Sequence, residues 1–271
     1  NCVAIGTHAL NTQNVGGGAN VMNTACGYVA GYAVTTGTRN TFVGAYSGDG
    51  TDDGAYNTSV GAEALSANCG YHNRAVGNSA GILATGQKNT YVGSLAGDAT
   101  VDSSENTAVG YAALSADSGG TNTAVGAEAL IACTGYDNTT MGYKAGSAVT
   151  SGHNNLILGH NAGLSGSPGG NIATGSDEMV LGDGDITNAY IQVDWSVSSD
   201  ERDKTDFTAL NLGLDFVKAM KPYTFKWDKR SKYGDKYAED YDLNAQTPDG
   251  THKEDWLDLG FKAQDVKALE E

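Results

Sequence analysis

The pattern Asn-x-x-x-Gly returns every 16 or 17 residues, and this period limits the fold more than any other feature of the chain. It reads Asn40-Thr-Phe-Val-Gly44, Asn57-Thr-Ser-Val-Gly61, Asn73-Arg-Ala-Val-Gly77 and Asn89-Thr-Tyr-Val-Gly93. It goes on through Asn106-Thr-Ala-Val-Gly110, Asn122-Thr-Ala-Val-Gly126 and Asn138-Thr-Thr-Met-Gly142, with looser copies at Asn1–Gly6, Asn155–Gly159 and Glu178–Gly182. Each glycine opens a second motif, either G-x-x-A-L (Gly61 to Leu65, Gly126 to Leu130) or G-x-x-A-G (Gly77 to Gly81, Gly142 to Gly146). A unit this short cannot bury a core alone. Stacked copies bury a continuous core of Val, Ala and Leu and pair every strand with the coils on either side. Glycine suits the corners, and Asn in register forms a side-chain ladder. Apolar positions that recur in register exclude a flexible linker. The expectation is a mainly β chain: a parallel β-roll or β-solenoid shaft of about ten such coils, over residues 1–165, with its handedness open.

Composition removes several alternatives. Glycine is abundant (38 residues) and proline scarce (3), which excludes collagen. The net charge of −16 disfavours nucleic acid and anionic membranes as partners. The charge is uneven: residues 1–198 carry 4 basic and 15 acidic side chains, and residues 199–271 carry 12 and 17. No apolar run approaches the ~18–20 residues of a membrane span, so no membrane insertion is expected. A start inside a repeat points to a fragment or a processed product.

Cys2, Cys26, Cys69 and Cys133 form no C-x-x-C pair or metal spacing. Cys69 and Cys133 hold similar places four repeats apart, roughly 19 Å at the strand spacing, too far for a disulfide. All four read as small packing residues. His153 and His160 lack a third ligand, and the loops at Asp49–Gly54 and Asp183–Asp185 lack the closing Glu of an EF-hand. Neither a metal nor a cofactor is expected.

Past the array, residues 166–198 read as a neck, loose and Ser/Gly/Pro-rich at first and closing in an alternating strand, Tyr190 to Val197. Beyond Ser199 the pattern changes to a small α+β domain. Leu212, Phe216, Val217 and Met220 share a helix face that Pro222 ends. Tyr223, Phe225 and Trp227 alternate as a strand, 228–255 is a long charged loop, Trp256–Phe261 is a second strand, and a helix starts at Ala263. Ser198-x-x-Glu201 also reads as a helix capping box.

The N-x-x-V-G and G-x-x-A units of residues 1–165 resemble the head repeats of trimeric autotransporter adhesins, and similar repeats occur in phage tail fibres. The resemblance implies a homotrimer. A second resemblance covers residues 199–271. S-D-x-R-x-K (Ser199 to Lys204), K-P-x-x-F-x-W (Lys221 to Trp227) and G-F-x-A-Q-x-V (Gly260 to Val266), in that order, look like the C-terminal intramolecular chaperone of endosialidase-type tailspikes and tail fibres. That family implies trimer assembly of the preceding fibre, followed by self-cleavage at the Ser-Asp bond. Its members continue beyond the point where this chain stops. By that resemblance Ser199 and Asp200 flank the scissile bond, Lys204 is the basic partner and Gln264 a motif glutamine. Asp203 stands where the family has an apolar residue. The chemistry amounts to a single self-cleavage and no turnover activity; a lysine activates a serine only when its own pKa is lowered.

The expected protein is therefore a trimeric viral tail fibre or spike on the virion. Its partners are two further copies, upstream tail proteins and a host-surface receptor, glycan or protein. A bacterial trimeric adhesin is the alternative.

Overall fold

In each repeat the three residues between Asn and Gly form one short strand. These are β1 (Val3–Ile5), β2 (Thr24–Cys26), β3 (Thr41–Val43), β4 (Thr58–Val60), β5 (Arg74–Val76), β6 (Thr90–Val92), β7 (Thr107–Val109), β8 (Thr123–Val125), β9 (Thr139–Met141), β10 (Leu156–Leu158) and β11 (Met179–Leu181). They pair in chain order into one parallel sheet, position for position: Thr41 on Thr58, Phe42 on Ser59, Val43 on Val60. The mainly β parallel solenoid expected from the repeat is the fold that forms. The stack runs through β11 and so extends past residue 165.

The computed structural model describes residues 1–14, 20–189, 216, 218–228, 230, 233–234, 245–253, 255–262 and 265. The chain divides into two units, Asn1–Ile186 and Thr187–Glu271.

Strand alternation decides which side chains face the core. From β2 to β10 the middle residue of each strand points inward: Ala25, Phe42, Ser59, Ala75, Tyr91, Ala108, Ala124, Thr140 and Ile157 are completely buried. First and third residues face out. The third residues make an apolar ridge along the solenoid, in which Ile5, Val43, Val60, Val76, Val92, Met141 and Leu181 are 36–60% exposed.

The buried asparagines clamp one coil to the next. Asn40 Oδ1 accepts from Asn57 N (2.9 Å), and Asn40 Nδ2 donates to Gly54 O (2.8 Å). The same pair of bonds recurs at Asn57, to Asn73 N and Gly70 O, and at Asn89, to Asn106 N and Ser103 O. A buried amide is retained only when both ends are paired, and here both partners lie in the following coil. The glycine after each strand is fixed by crowding. At Gly44 (φ 134°) an added Cβ would overlap the Gly61 carbonyl of the next coil.

Core volume is shared between two positions per coil, the middle of the strand and the fourth residue after the glycine. Leu65, Leu114 and Leu130 fill the second position where the strand supplies Ser59, Ala108 or Ala124. Phe42 and Tyr91 fill the first, opposite Gly48 and Gly97, where a Cβ would overlap the ring. The rings also reach back to the preceding coil, where a Cβ on Gly31 would lie 2.8 Å from Phe42 and one on Gly81 2.6 Å from Tyr91. This large-for-small exchange explains why G-x-x-A-L and G-x-x-A-G alternate irregularly along the sequence.

One expectation is corrected. Cys69 and Cys133 are buried and free, and burial pushes both thiols up. Cys2 is exposed and Cys26 only half-buried. Within this chain the first coil has a neighbour on one side only, and all three residues of β1 are exposed. Cys2 is therefore not a core packing residue.

Candidate functional site

The C-terminal unit is built around two strands far apart in sequence. Phe216, Lys218 and Ala219 are helical, and Met220 N donates to Phe216 O (3.1 Å). The helix stops before Pro222, which lacks an N–H and disfavours helix at the residue before it. β12 (Tyr223–Phe225) then pairs antiparallel with β13 (Asp258–Gly260), Tyr223 opposite Gly260. The motif from Lys221 to Trp227 thus lies beside the start of the motif from Gly260 to Val266. Side chains tie them together: Lys262 Nζ stands 4.5 Å from the Tyr223 ring centre, and Tyr223 Oη donates to Asp265 Oδ2 (3.2 Å). The Phe225 and Trp227 rings meet edge to face. Around this pair the unit exposes apolar side chains: Trp227, Trp256, Leu257, Phe261 and, at 77%, Leu259.

The segment expected as a long loop carries a clip that the sequence reading missed. Tyr233 Oη donates to Asp228 Oδ1 (2.8 Å) and accepts from Asp249 N (3.2 Å) and His252 N (3.4 Å). Asp228 Oδ2 accepts from Gly250 N (2.7 Å). The Thr251 hydroxyl and backbone N–H hold the Asp249 carboxyl below its usual range. Pro248-Asp249-Gly250 is a turn signature, and it was the available signal that the loop folds back on Asp228.

All four sequence-predicted site residues, Ser199, Asp200, Lys204 and Gln264, lie outside the described residues, as do the strand expected at Tyr190 to Val197 and most of the helix expected from Ala263. What the structure does bring together is the framework of the second and third motifs.

With that framework in view, the comparisons can be placed. Residues 199–271 match the family model for the chaperone of endosialidase. The C-terminal segment is of the endosialidase-chaperone type. The match begins at Ser199 and spans all three motifs, about a quarter of the chain. Together with the parallel β-solenoid, the endosialidase-chaperone segment fits a tail-fibre type of protein. No curated protein and no solved structure matches the chain.

Among the described residues no three His, Cys, Asp or Glu side chains gather as a metal site, and no helix is long and apolar enough to cross a membrane. His153 bonds Ser176 Oγ (2.9 Å) and stacks on Tyr136, while His160 faces Asp183 (3.3 Å) and stacks on Tyr143.

Proposed function

We propose that this protein is a homotrimeric fibre of a phage tail, displayed on the virion and used for host attachment, whose β-solenoid shaft is assembled by its own C-terminal chaperone segment. The observation that carries this reading is the joining, in one chain, of a stacked β-solenoid with an endosialidase-chaperone segment. The solenoid alone suits a bacterial adhesin equally well; the C-terminal match favours the fibre.

Two surfaces support association with further copies. The third-residue ridge of the strands carries no charge at any coil and exposes aliphatic side chains at one-strand intervals of about 4.8 Å. A partner with the same spacing is another copy in register. The C-terminal unit leaves Trp227, Trp256, Leu257, Leu259 and Phe261 open to solvent in a single chain. Patches of this kind mark association surfaces in soluble proteins.

The chaperone segment is then removed by its own chemistry. Water adds across the Ser199–Asp200 peptide bond: hydroxyl goes to the Ser199 carbonyl carbon and a proton to the Asp200 nitrogen as the C–N bond breaks. Ser199 and Lys204 serve as hydroxyl and base, with Gln264 at the motif position. The test is a solution mass together with denaturing electrophoresis. We expect Ser199→Ala to stay full length with the mass of three 27.9 kDa chains, and wild type to give two fragments and the smaller mass of three shortened chains. A one-chain mass overturns the trimer, and uncut wild type overturns the cleavage.

A further inference from the structure

The outward face of the solenoid sheet repeats one pair of residues. The first strand residue is threonine at Thr24, Thr41, Thr58, Thr90, Thr107, Thr123 and Thr139, and the third is valine at Val43, Val60, Val76, Val92, Val109 and Val125. Both types are β-branched and suit any half-exposed strand, so their presence needs no further cause. Arg74 breaks the threonine column. It stands in register between Thr58 and Thr90, and among the first and third residues of β1 to β11 it alone is charged.

Its guanidinium is also unmatched within the chain. Lys88 and Lys144 pair with Glu105 (2.9 Å) and Glu128 (3.4 Å), and Arg39 lies over the Tyr56 ring, 5.2 Å from its centre. Arg74 is exposed on the sheet face. It makes a long contact to the His72 carbonyl (3.5 Å) and meets no carboxylate among the described residues.

A face this regular carries little register information. Copies laid ridge to ridge can slip by one coil, about 4.8 Å, and still set Val43 against Val60 and Thr41 against Thr58. Arg74 ends that degeneracy. In a slipped arrangement each copy covers its own guanidinium at its own level, against a neighbour's threonines, and a covered charge without a partner is costly. In register the guanidinium groups meet at one level, where a single oxyanion can accept from all of them. One polar residue in the apolar seam of a coiled coil fixes register by the same logic.

We infer that Arg74 sets the register of the three copies, its guanidinium groups closing around one small oxyanion, of the sulfate or phosphate type, between the ridges. This rests on the trimer reading and adds to it a bound ion and the level at which it sits. The net charge of −16 repels anions from the protein as a whole, so retention of one depends on these donors.

Two measurements on the full chain test it. In equilibrium dialysis with radiolabelled sulfate, wild type is expected to bind one sulfate per three chains, and Arg74→Thr to bind it at least tenfold more weakly. Register is read by oxidative disulfide formation in a Cys2→Ser background. A chain with its native Cys26, the third residue of β2, is co-expressed with an N-terminally tagged Cys26→Val/Val43→Cys chain. In register, cysteines meet only between like chains, whereas a slip of one coil joins unlike chains into a band of intermediate size. Chains with Arg74 should give like-chain bands alone, and Arg74→Thr should raise the mixed band at least fivefold. Threonine fills this position in both neighbouring coils, so the variant should keep its fold; if it does not, Arg74→Gln takes its place. The inference fails if sulfate binds wild type and variant alike, if the bands do not change, or if Cys26 forms no disulfide. A one-chain mass, measured in parallel, overturns the trimer reading instead.

Discussion

Moving the large core side chain of the third coil from its strand to its turn tests how the solenoid core is packed. Phe42→Ala removes a completely buried ring and should cost about 3–5 kcal/mol. Gly48→Leu alone forces a side chain into the Phe42 ring and should cost about 1–3 kcal/mol or more. The double variant converts the third coil to the Ala-plus-Leu form of the seventh and eighth. Its leucine would sit at φ 61°, close to the 50–55° of Leu65, Leu114 and Leu130. The space at Gly31 that Phe42 fills stays empty, so recovery is partial. We expect the double variant to regain about half of the Phe42→Ala loss, a coupling of about 2.5–5.5 kcal/mol between the two changes. Urea unfolding followed by far-ultraviolet circular dichroism measures it. Additive losses would refute the exchange of volume between the two positions.

Three further outcomes follow from buried groups. The Tyr91 hydroxyl is buried with no partner and burial pushes its pKa up, while Phe42 holds the equivalent position in another coil; Tyr91→Phe should therefore raise stability by about 1 kcal/mol in the same assay. Asn89→Ala strands Asn106 N and Ser103 O and should cost about 3 kcal/mol, whereas Thr58→Ala, at a half-buried first strand position, should cost much less. Burial raises the Asp49 carboxyl, against the Ser66 hydroxyl and the Asp49 and Gly50 amides, and leaves its Oδ1 unpaired. A raised folded-state pKa gives stability that is full below the ordinary carboxylate value and is lost as pH rises through the raised one. Asp49→Asn should remove that loss, so the gap in melting temperature between variant and wild type should widen with pH across this window; a constant gap refutes it.

The fold was legible because its information is periodic. Asn, Gly and the alternating strand residues repeat in register, and a parallel stack answers all of them. The outward ridge was misread in the sequence: the valine of the repeat motif, expected in the core, is the third strand residue and faces out at Val43, Val60, Val76 and Val92, because alternation leaves only the middle residue inside. The C-terminal unit was readable as strands, since Tyr223–Phe225 and Asp258–Gly260 alternate, but the Asp228–Tyr233 clip joins residues separated by a charged segment with no period. Ser199, Asp200, Lys204 and Gln264 were identified by motif alone, and a motif carries no geometry.

The asparagine ladder is a one-way fastening. Each side-chain oxygen accepts from the coil that follows it in sequence, and the column ends at Glu178, whose backbone N–H donates to Asn155 Oδ1 (3.0 Å). A coil laid onto a finished C-terminal neighbour finds both of its partners waiting. A coil laid onto an N-terminal neighbour leaves its own buried amide open until another arrives. Zipping from the C-terminal end is therefore the direction in which no ladder side chain is left open; the end coil leaves only backbone groups, its Asn N–H and its glycine carbonyl, for water to satisfy. Pulse-labelled hydrogen exchange during refolding should show Asn138 and Asn155 protected before Asn40, and the reverse order would contradict it. A segment that starts assembly has most to offer at the end where this chain carries its chaperone.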